Sequence, residues 1–379
     1  MIVYILIYVS ICFFANMYSR KTVVRTIHGY KKYVDCMPVS FFIMSLFLGL
    51  RNGIGLDDGM YSRTFQEIYS DGFSWRDIEI SYTWISRAVQ TIGGTVQLVF
   101  LIYAIITCFF LYLSIKLLVK NENRWIFFGI FLSFMFLSSI TLMRQFAAGS
   151  LVLFGYCNWK ENKWKKAIVL LFAAGMLHTS AFLALPYFFL AKSIRKFSSN
   201  KKTMLLIICY IIQYVPFSDI LVKIIGTIPA LSNFYYVKYY LLTSSRFFPD
   251  RIGIIETCYL VLFIYMMYTC KNGDDSNTDE NSKLLSSELE AFAFLYFAIR
   301  MLLAQFGYLH RVSYYLEFFA VLYLSNCNQI FDKKSQRIFR VIGTFFFVSL
   351  FVYAVYSYRM QGSQYNPLIP YAMILKLFE

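Results

Sequence analysis

Residues capable of acid–base and charge chemistry stand at the ends of strongly apolar runs in this chain. The first example is LRNGIGLDDGMYS, where Arg51 and Asp57 follow the apolar run MPVSFFIMSLFLGL. Gly53, Gly55 and Gly59 permit a tight turn and a close approach of the backbone to a neighbour. A segment that only anchors the chain needs none of these residues. The stretch is therefore a candidate part of a functional site.

Similar candidates follow other apolar runs. Arginines at a membrane surface can bind pyrophosphate, because the planar guanidinium donates paired hydrogen bonds to phosphate oxygens. A carboxylate or an imidazole beside them could accept a proton as a general base. Ionisable residues at membrane depth are functional candidates by default. The residues selected on these grounds are Arg51, Asp57, Arg144, Gln145, His178, Arg246 and Arg311.

Each candidate also has a structural interpretation. An arginine at the end of a span is commonly an interfacial anchor, and a single buried histidine can be satisfied within the core. Asp57 and Asp58 could form a solvated loop or, as paired carboxylates, hold a divalent metal ion. Arg300, Glu256 and Glu317 lie within apolar runs, where we expect structural ion pairs.

The composition determines which elements must position these side chains. Of 379 residues, 59% are hydrophobic and 15% are charged, whereas soluble domains are about 25% charged. Apolar runs close to the roughly 20 residues that cross a bilayer recur along the chain. The sequence therefore predicts an all-α fold: a polytopic helical membrane protein with one integral domain over residues 1–379. The first run, residues 2–17, is interpreted as a retained span and not as a signal peptide.

Basic residues in short loops determine the predicted orientation. The net charge is +15, and its concentration in loops between apolar runs is typical of cytoplasmic loops and not of a nucleic-acid surface. This pattern predicts about ten spans with both termini outside. Residues 51–94 then form an outer loop, and residues 271–286 form a flexible cytoplasmic linker.

One apolar stretch, residues 167–191, has lysine-rich flanks on both sides. As a helix it would extend roughly 37 Å, enough for one crossing but not for two. We therefore expect a re-entrant hairpin with its bend near residues 177–180, which would carry His178 into the membrane. Farther along, α-helical spacing would place Arg311, Tyr314, Tyr315 and Phe318 on one face.

The ordered motifs resemble the EpsG family of Wzy-type polysaccharide polymerases. RNGIGLDDGMY resembles an early Arg, Gly-x-Asp and Tyr pattern of that family. MRQFAAGSLVLFGYCNWKENKWKKAIVLLFAAGMLHTSAFLALPYFF resembles its Arg-Gln pair, lysine-rich turn and His-x-Ser motif, and HRVSYYLEF and YNPLIPY resemble its late elements. Between about residues 196 and 285 there is no such likeness, so Arg246 is a substrate-binding candidate from its position alone.

The resemblance implies a fold related to membrane-embedded, lipid-linked glycosyltransferases. It further implies a polymerase at the outer face of the bacterial cytoplasmic membrane. Its substrates would be oligosaccharide repeat units on undecaprenyl pyrophosphate, with no cofactor or metal. By the same resemblance the pyrophosphate is held by Arg51, Arg144 and Arg311, the base is Asp57 or His178, and the supporting groups are Gln145, Ser180 and Tyr315. The implied partners are membrane lipid and a chain-length regulator and flippase of the same pathway, with no nucleic acid.

Two other functions remain open from the sequence. The first is an O-antigen ligase or another lipid-linked glycosyltransferase with a different acceptor, which could use a metal at Asp57 and Asp58. The second is a transporter or flippase for polysaccharide or lipid-linked sugar. Transporters often contain internal repeats with paired broken helices, and the sequence shows no second copy of RNGIGLDD or of the His178 stretch.

Overall fold

The described chain is helical apart from one short antiparallel pair of strands, β1 (Val23–Arg25) and β2 (Lys31–Tyr33). The prediction of an all-α fold is confirmed at this level. The computed structural model describes residues 2–17, 23–25, 31–33, 35–55, 57–68, 79–215, 227, 251–272, 280–332 and 334–361.

Packing divides the chain into two compact units, unit 1 (Met1–Phe182 with Phe331–Glu379) and unit 2 (Leu183–Ile330). The first helices of unit 1 are α1 (Ile2–Met17), α2 (Met37–Gly49), α3 (Asp58–Glu67), α4 (Ile80–Thr91), α5 (Val96–Leu118), α6 (Arg124–Phe134), α7 (Phe136–Thr141), α8 (Met143–Lys160) and α9 (Trp164–Leu177). Unit 2 contains α10 (Ala184–Ile194), α11 (Ser199–Ile212), α12 (Ile254–Asn272), α13 (Glu280–Leu302) and α14 (Tyr314–Leu324), and α15 (Ser335–Gln361) returns to unit 1.

The apolar helix α5 is central to the packing of unit 1. It packs against α2 and α8, and α8 also packs against α9. The approach of α2 to α5 is close, because a Cβ on Gly49 would lie 2.6 Å from the Cα of Leu101. Small residues allow helices of membrane proteins to approach in this way. Glycine at this position therefore sets the distance between α2 and α5, and α2 leads directly to the candidate site.

Unit 2 buries charged side chains between its helices. Arg300 on α13 donates a 2.8 Å hydrogen bond from Nε to Glu256 on α12. The Tyr296 hydroxyl lies 3.3 Å from Glu256 and 3.5 Å from Glu317. Such partners offset the cost of burying a charge. The expected ion pair is confirmed for Arg300 and Glu256, whereas Glu317 bonds to a tyrosine.

Helix lengths bear on the predicted spans. By length and composition, two helices in the described ranges could cross a membrane, Val96–Leu118 and Ser335–Ser357. Shorter apolar helices are Ile2–Met17, Met37–Gly49, Thr179–Ile194 and Ile254–Thr269. Because a straight crossing needs roughly 20 residues, the count of about ten spans stays a prediction, as does the single integral domain.

The apolar stretch 167–191 is not one continuous helix. Helix α9 ends at Leu177, His178 has an extended backbone (φ −157°, ψ 117°), and the 3-10 turn Thr179–Leu183 precedes α10. The break therefore lies where the bend was expected. The position of this stretch relative to a membrane stays a prediction.

The predicted linker 271–286 is helical at both described ends. Helix α12 continues to Asn272, and α13 begins at Glu280. Glutamate, lysine and leucine are good helix formers, so the helices extend from the apolar runs into the polar segment. Residues 273–279 of this linker lie outside the described residues.

Candidate functional site

A buried ion pair between Arg51 and Asp58 fixes the segment that follows α2. The two side chains are 1% and 2% exposed, and Arg51 Nη2 lies 3.1 Å from Asp58 Oδ1. Arg51 Nη1 donates a 2.6 Å hydrogen bond to the Leu48 carbonyl, and the Ile54 N–H donates to Asp58 Oδ2 at 3.1 Å. The guanidinium also lies 4.4 Å from the centroid of the Phe100 ring. Arg51 is thus held by protein groups on several sides.

Burial and pairing act in opposite directions on Asp58. Burial raises the pKa of its carboxyl above the ordinary value, and this effect exceeds the lowering by the Arg51 guanidinium and by the hydrogen bonds from Arg51 and Ile54. Both carboxylate oxygens face donors. A divalent ion held by Asp57 and Asp58 would therefore have to displace a buried arginine.

The turn between Arg51 and Asp58 requires a glycine at position 55. The φ angle of Gly55 is +142°, and a Cβ there would lie 2.9 Å from Asp58 Oδ1. Gly53 also has a positive φ of +62°, in the region that favours glycine. The expected tight turn is confirmed at these two positions. Gly59 lies in α3, with no atom within 4 Å of a Cβ built on it.

Glu79 joins two of the candidate residues. It immediately precedes α4, and its carboxylate pairs through Oε2 with Arg144 Nη1 and through Oε1 with His178 Nδ1. The side chains of Arg144 and Glu79 are 13% exposed and that of His178 is 27% exposed. The start of α8, the start of α4 and the end of α9 therefore meet at one carboxylate that solvent can reach.

Two tyrosines complete the surroundings of Arg144. Its Nε donates a 3.2 Å hydrogen bond to the Tyr61 hydroxyl, and its guanidinium lies 5.1 Å from the Tyr61 ring centroid and 5.9 Å from that of Tyr82. The Tyr82 hydroxyl donates a 2.7 Å hydrogen bond to the Tyr61 carbonyl, which ties α4 to α3. Within the described part of the chain, Nε and Nη1 of Arg144 are engaged and Nη2 has no partner.

Glu79 also determines which nitrogen of His178 carries a hydrogen. A carboxylate only accepts hydrogen bonds, so Nδ1 is the donor. The neutral imidazole then has its lone pair on Nε2, as in histidines that a carboxylate orients for general-base catalysis. The cluster of Glu79, Arg144, His178 and Tyr61, which we call the Glu79 cluster, combines a base, an orienting carboxylate and a cation. This combination suits attack by a hydroxyl beside an anionic leaving group.

Three other candidates of unit 1 lie close in the sequence to residues already described. Asp57 precedes the first residue of α3 and is partly exposed. Gln145 is buried on α8 beside Arg144, and Ser180 is partly exposed in the turn after His178. Arg246 lies outside the described residues.

Arg311 and Tyr315 belong to unit 2. Arg311 lies in the 3-10 turn Gly307–Ser313, and α14 begins only at Tyr314. The predicted α-helical spacing therefore holds only from Tyr314 onward; in the 3-10 turn three residues complete one turn, which keeps Arg311 and Tyr314 on one side. Tyr315 is 1% exposed, which makes it a core residue of α14 in this structure.

Glu79 was not selected from the sequence. It is one acidic residue in a polar segment, and its partners Arg144 and His178 are 65 and 99 residues away along the chain. The only local signal is its position directly before the amphipathic run ISYTWISRAVQ, where a helix starts.

Comparison with protein families places the chain in a family whose model covers most of its length. The model of the EpsG family matches residues 35–373, a range that contains the motifs of Arg51, Arg144, His178 and Arg311. Comparison with curated proteins and with solved structures gives no significant match. The resemblance inferred from the ordered motifs is confirmed.

Proposed function

The chain belongs to the EpsG family, a family of Wzy-like polysaccharide polymerases, and from this we propose that it joins oligosaccharide repeat units carried on undecaprenyl pyrophosphate. Polymerases of this family are membrane proteins. The reaction would take place at the outer face of the bacterial cytoplasmic membrane, with about ten spans positioning the site. A chain-length regulator and a flippase of the same pathway are the proposed partners.

The Glu79 cluster is the observation that carries this proposal. The acceptor hydroxyl loses its proton to His178 Nε2 while its oxygen attacks the anomeric carbon of the donor sugar. The bond between that carbon and the pyrophosphate oxygen breaks, and lipid pyrophosphate leaves with the electron pair. Glu79 holds the imidazole through Nδ1 and stabilises the imidazolium that forms.

In this proposal Arg144 stabilises the leaving group. Its Nη2 is available for phosphate oxygens, while Glu79 and Tyr61 fix the plane of the guanidinium. Donors arranged before the reaction cost no reorganisation when charge develops, and losing one typically lowers the rate by about 10²–10³-fold. The family resemblance adds Arg311 as a second pyrophosphate ligand.

Arg51 takes a different role in this proposal from the one implied by the motif. Its guanidinium is paired with Asp58 and buried, so we assign it to positioning α3 and with it Tyr61. Between the two candidate bases, the geometry favours His178 over Asp57, because only His178 is held by a carboxylate of the Glu79 cluster.

Transfer activity of an Arg144→Lys variant tests the proposal. Lysine keeps the charge but lacks the planar fork. Purified protein in vesicles would be supplied with lipid-linked repeat units, and product length would be read from a gel ladder. We expect single lipid-linked units to accumulate, with the rate lowered by about 10²–10³-fold.

The matched control is Arg63→Lys, an exposed arginine on α3, which should polymerise as the wild type does. Full-length polymer from Arg144→Ala would contradict the proposed role of Arg144. Movement of the lipid-linked unit across the vesicle membrane without any change in its length would instead indicate a flippase.

A further inference from the structure

A groove of about 250 Å³ lies in unit 1 between α1, α6 and α15, away from the Glu79 cluster. Its walls are mainly apolar and aromatic, and its polar side chains include Asn16, Thr344 and Arg340. Among the residues that line it are Cys12, Phe13, Trp125, Arg340 and Phe347. The groove thus combines an apolar channel with a cation.

The groove lies at the opposite end of the helix pair α1–α2 from Arg51. The two helices are antiparallel, since the Tyr4 ring contacts Phe47 while Ser40 donates a 2.8 Å hydrogen bond to the Ile11 carbonyl. Arg51 follows the end of α2 that faces Tyr4. The groove is lined by the other end of α1, by Trp125 near the start of α6 and by residues 340–348 of α15.

Trp125 and Arg340 each have an unused polar group. The Trp125 indole N–H is buried and has no hydrogen-bond partner among the described residues. Arg340 is exposed, and within the same part of the chain its guanidinium forms no ion pair. Trp125 contributes its ring to the groove wall, whereas its N–H is enclosed by protein, so Arg340 is the cation that an anionic ligand can reach.

The charges near the groove favour an anion. Arg337 and Arg340 lie in the first two turns of α15, and Lys334 directly precedes the helix. The acidic residue beside them in the sequence is Asp332. Arg20 and Lys21 follow α1 in the sequence. Such clusters beside an apolar helix end are typical of segments at the anionic surface of a membrane.

We propose that this groove binds one anionic phospholipid, with its phosphate on Arg340 and an acyl chain along the apolar wall beside the Trp125 ring. The aromatic rings of Phe13 and Phe347 contact the chain. A zwitterionic lipid would gain less, because its headgroup carries no net charge to match the basic surface. This site depends on unit 1 being in a membrane and is independent of the polymerase reaction.

Fluorescence quenching by brominated lipids tests the site. Wild type and Trp125→Phe would be placed in phosphatidylcholine vesicles containing increasing amounts of brominated phosphatidylglycerol or brominated phosphatidylcholine. The difference between the two proteins gives the emission of Trp125. We expect this emission to report about fivefold tighter binding of the anionic lipid, as one interfacial arginine contributes.

Arg340→Gln and the control Arg337→Gln decide which cation is used. Arg337 is exposed on the same helix and does not line the groove. The lipid preference should disappear in Arg340→Gln and remain in Arg337→Gln. Mass spectrometry of lipids retained by the purified proteins should show the same order, and it needs no Trp125 variant.

Equal quenching of Trp125 by both lipids would overturn the proposal, as would a preference that persists in Arg340→Gln. Polymerisation should be the same in the wild type and in the Arg340→Gln and Trp125→Phe variants, since the groove contains no residue of the Glu79 cluster. Failure of the lipid site and failure of the proposed reaction are therefore distinguishable.

Discussion

Glu79 binds a guanidinium and an imidazole at the same time, so changing this one residue tests the Glu79 cluster as a whole. Glu79→Gln keeps the shape of the side chain but removes its charge. The amide would no longer stabilise the imidazolium of His178 during proton transfer, and we expect the turnover rate to fall by about 10²–10⁴-fold. The measurement is single-turnover transfer with purified protein in vesicles.

Glu161→Gln is the control for this prediction. Glu161 pairs with Lys163 at the surface, with both side chains largely exposed, and such pairs contribute little. Wild-type turnover of Glu79→Gln, together with loss of activity in His178→Asn, would show that His178 works without its carboxylate.

Substitution of the two adjacent aspartates should lower the stability of the protein by different amounts. Asp58→Asn leaves Arg51 buried without a counter-charge, which typically costs about 3–5 kcal/mol. Asp57→Asn changes a partly exposed residue and should cost far less. Thermal unfolding in detergent measures both, and equal melting temperatures would argue against the ion pair as a structural element.

Sequence reasoning identified Arg144 and His178 because charged and titratable residues are conspicuous among apolar neighbours. It selected Asp57 and not Asp58, because the two follow the same glycine-rich turn and the sequence does not show that Asp58 is the partner of Arg51. Glu79 was missed because its importance comes from partners brought together by the tertiary fold.

At the scale of elements, a glycine-to-alanine substitution should change stability differently in the turn before α3 and in the first turn of α3. Gly55→Ala would place a methyl group against the Asp58 carboxylate at a positive φ and should destabilise the protein. Gly59→Ala, in α3 with open space around it, should be neutral or stabilise by roughly 0.5–1 kcal/mol, because alanine is the better helix former. The melting temperatures of the two variants test this contrast. Equal values would mean that the turn adapts.

Most helices were predictable from apolar runs, and α1 and α2 begin and end close to the ends of the apolar runs that predicted them. Helices α3 and α4 were not expected in the outer segment. They are short and amphipathic, and their stability comes from packing of residues such as Tyr61 and Tyr82 on neighbouring helices. The 3-10 turn at Arg311 was not predicted, because residue types do not distinguish it from the first turn of an α-helix.

At the scale of the whole molecule, chemical labelling tests the predicted orientation. In a cysteine-depleted background, Gln66→Cys on α3 should react with a membrane-impermeant thiol reagent in intact spheroplasts. Lys163→Cys, at an exposed position between α8 and α9, should react only after permeabilisation. Labelling of Lys163→Cys alone in intact cells would reverse the orientation and place the Glu79 cluster inside.

The orientation was inferred from the charges of the loops, whereas the number of spans depends on how short helices combine across a bilayer. Charge asymmetry is a property of the sequence that survives any packing. The fit of a short helix such as α2 depends on neighbours and on local thickness of the lipid. The sequence therefore constrains the first property more strongly than the second.

The Arg51–Asp58 pair also has a direction, with a consequence for genetics. Leu48 presents a carbonyl to the arginine, and Ile54 presents an N–H to the aspartate. Exchanging the two residues would set a carboxylate against a carbonyl and a guanidinium against an N–H, so charge reversal cannot restore the pair. A suppressor screen begun from an inactive Asp58→Arg variant should therefore return revertants at codon 58 and no compensating acid at codon 51.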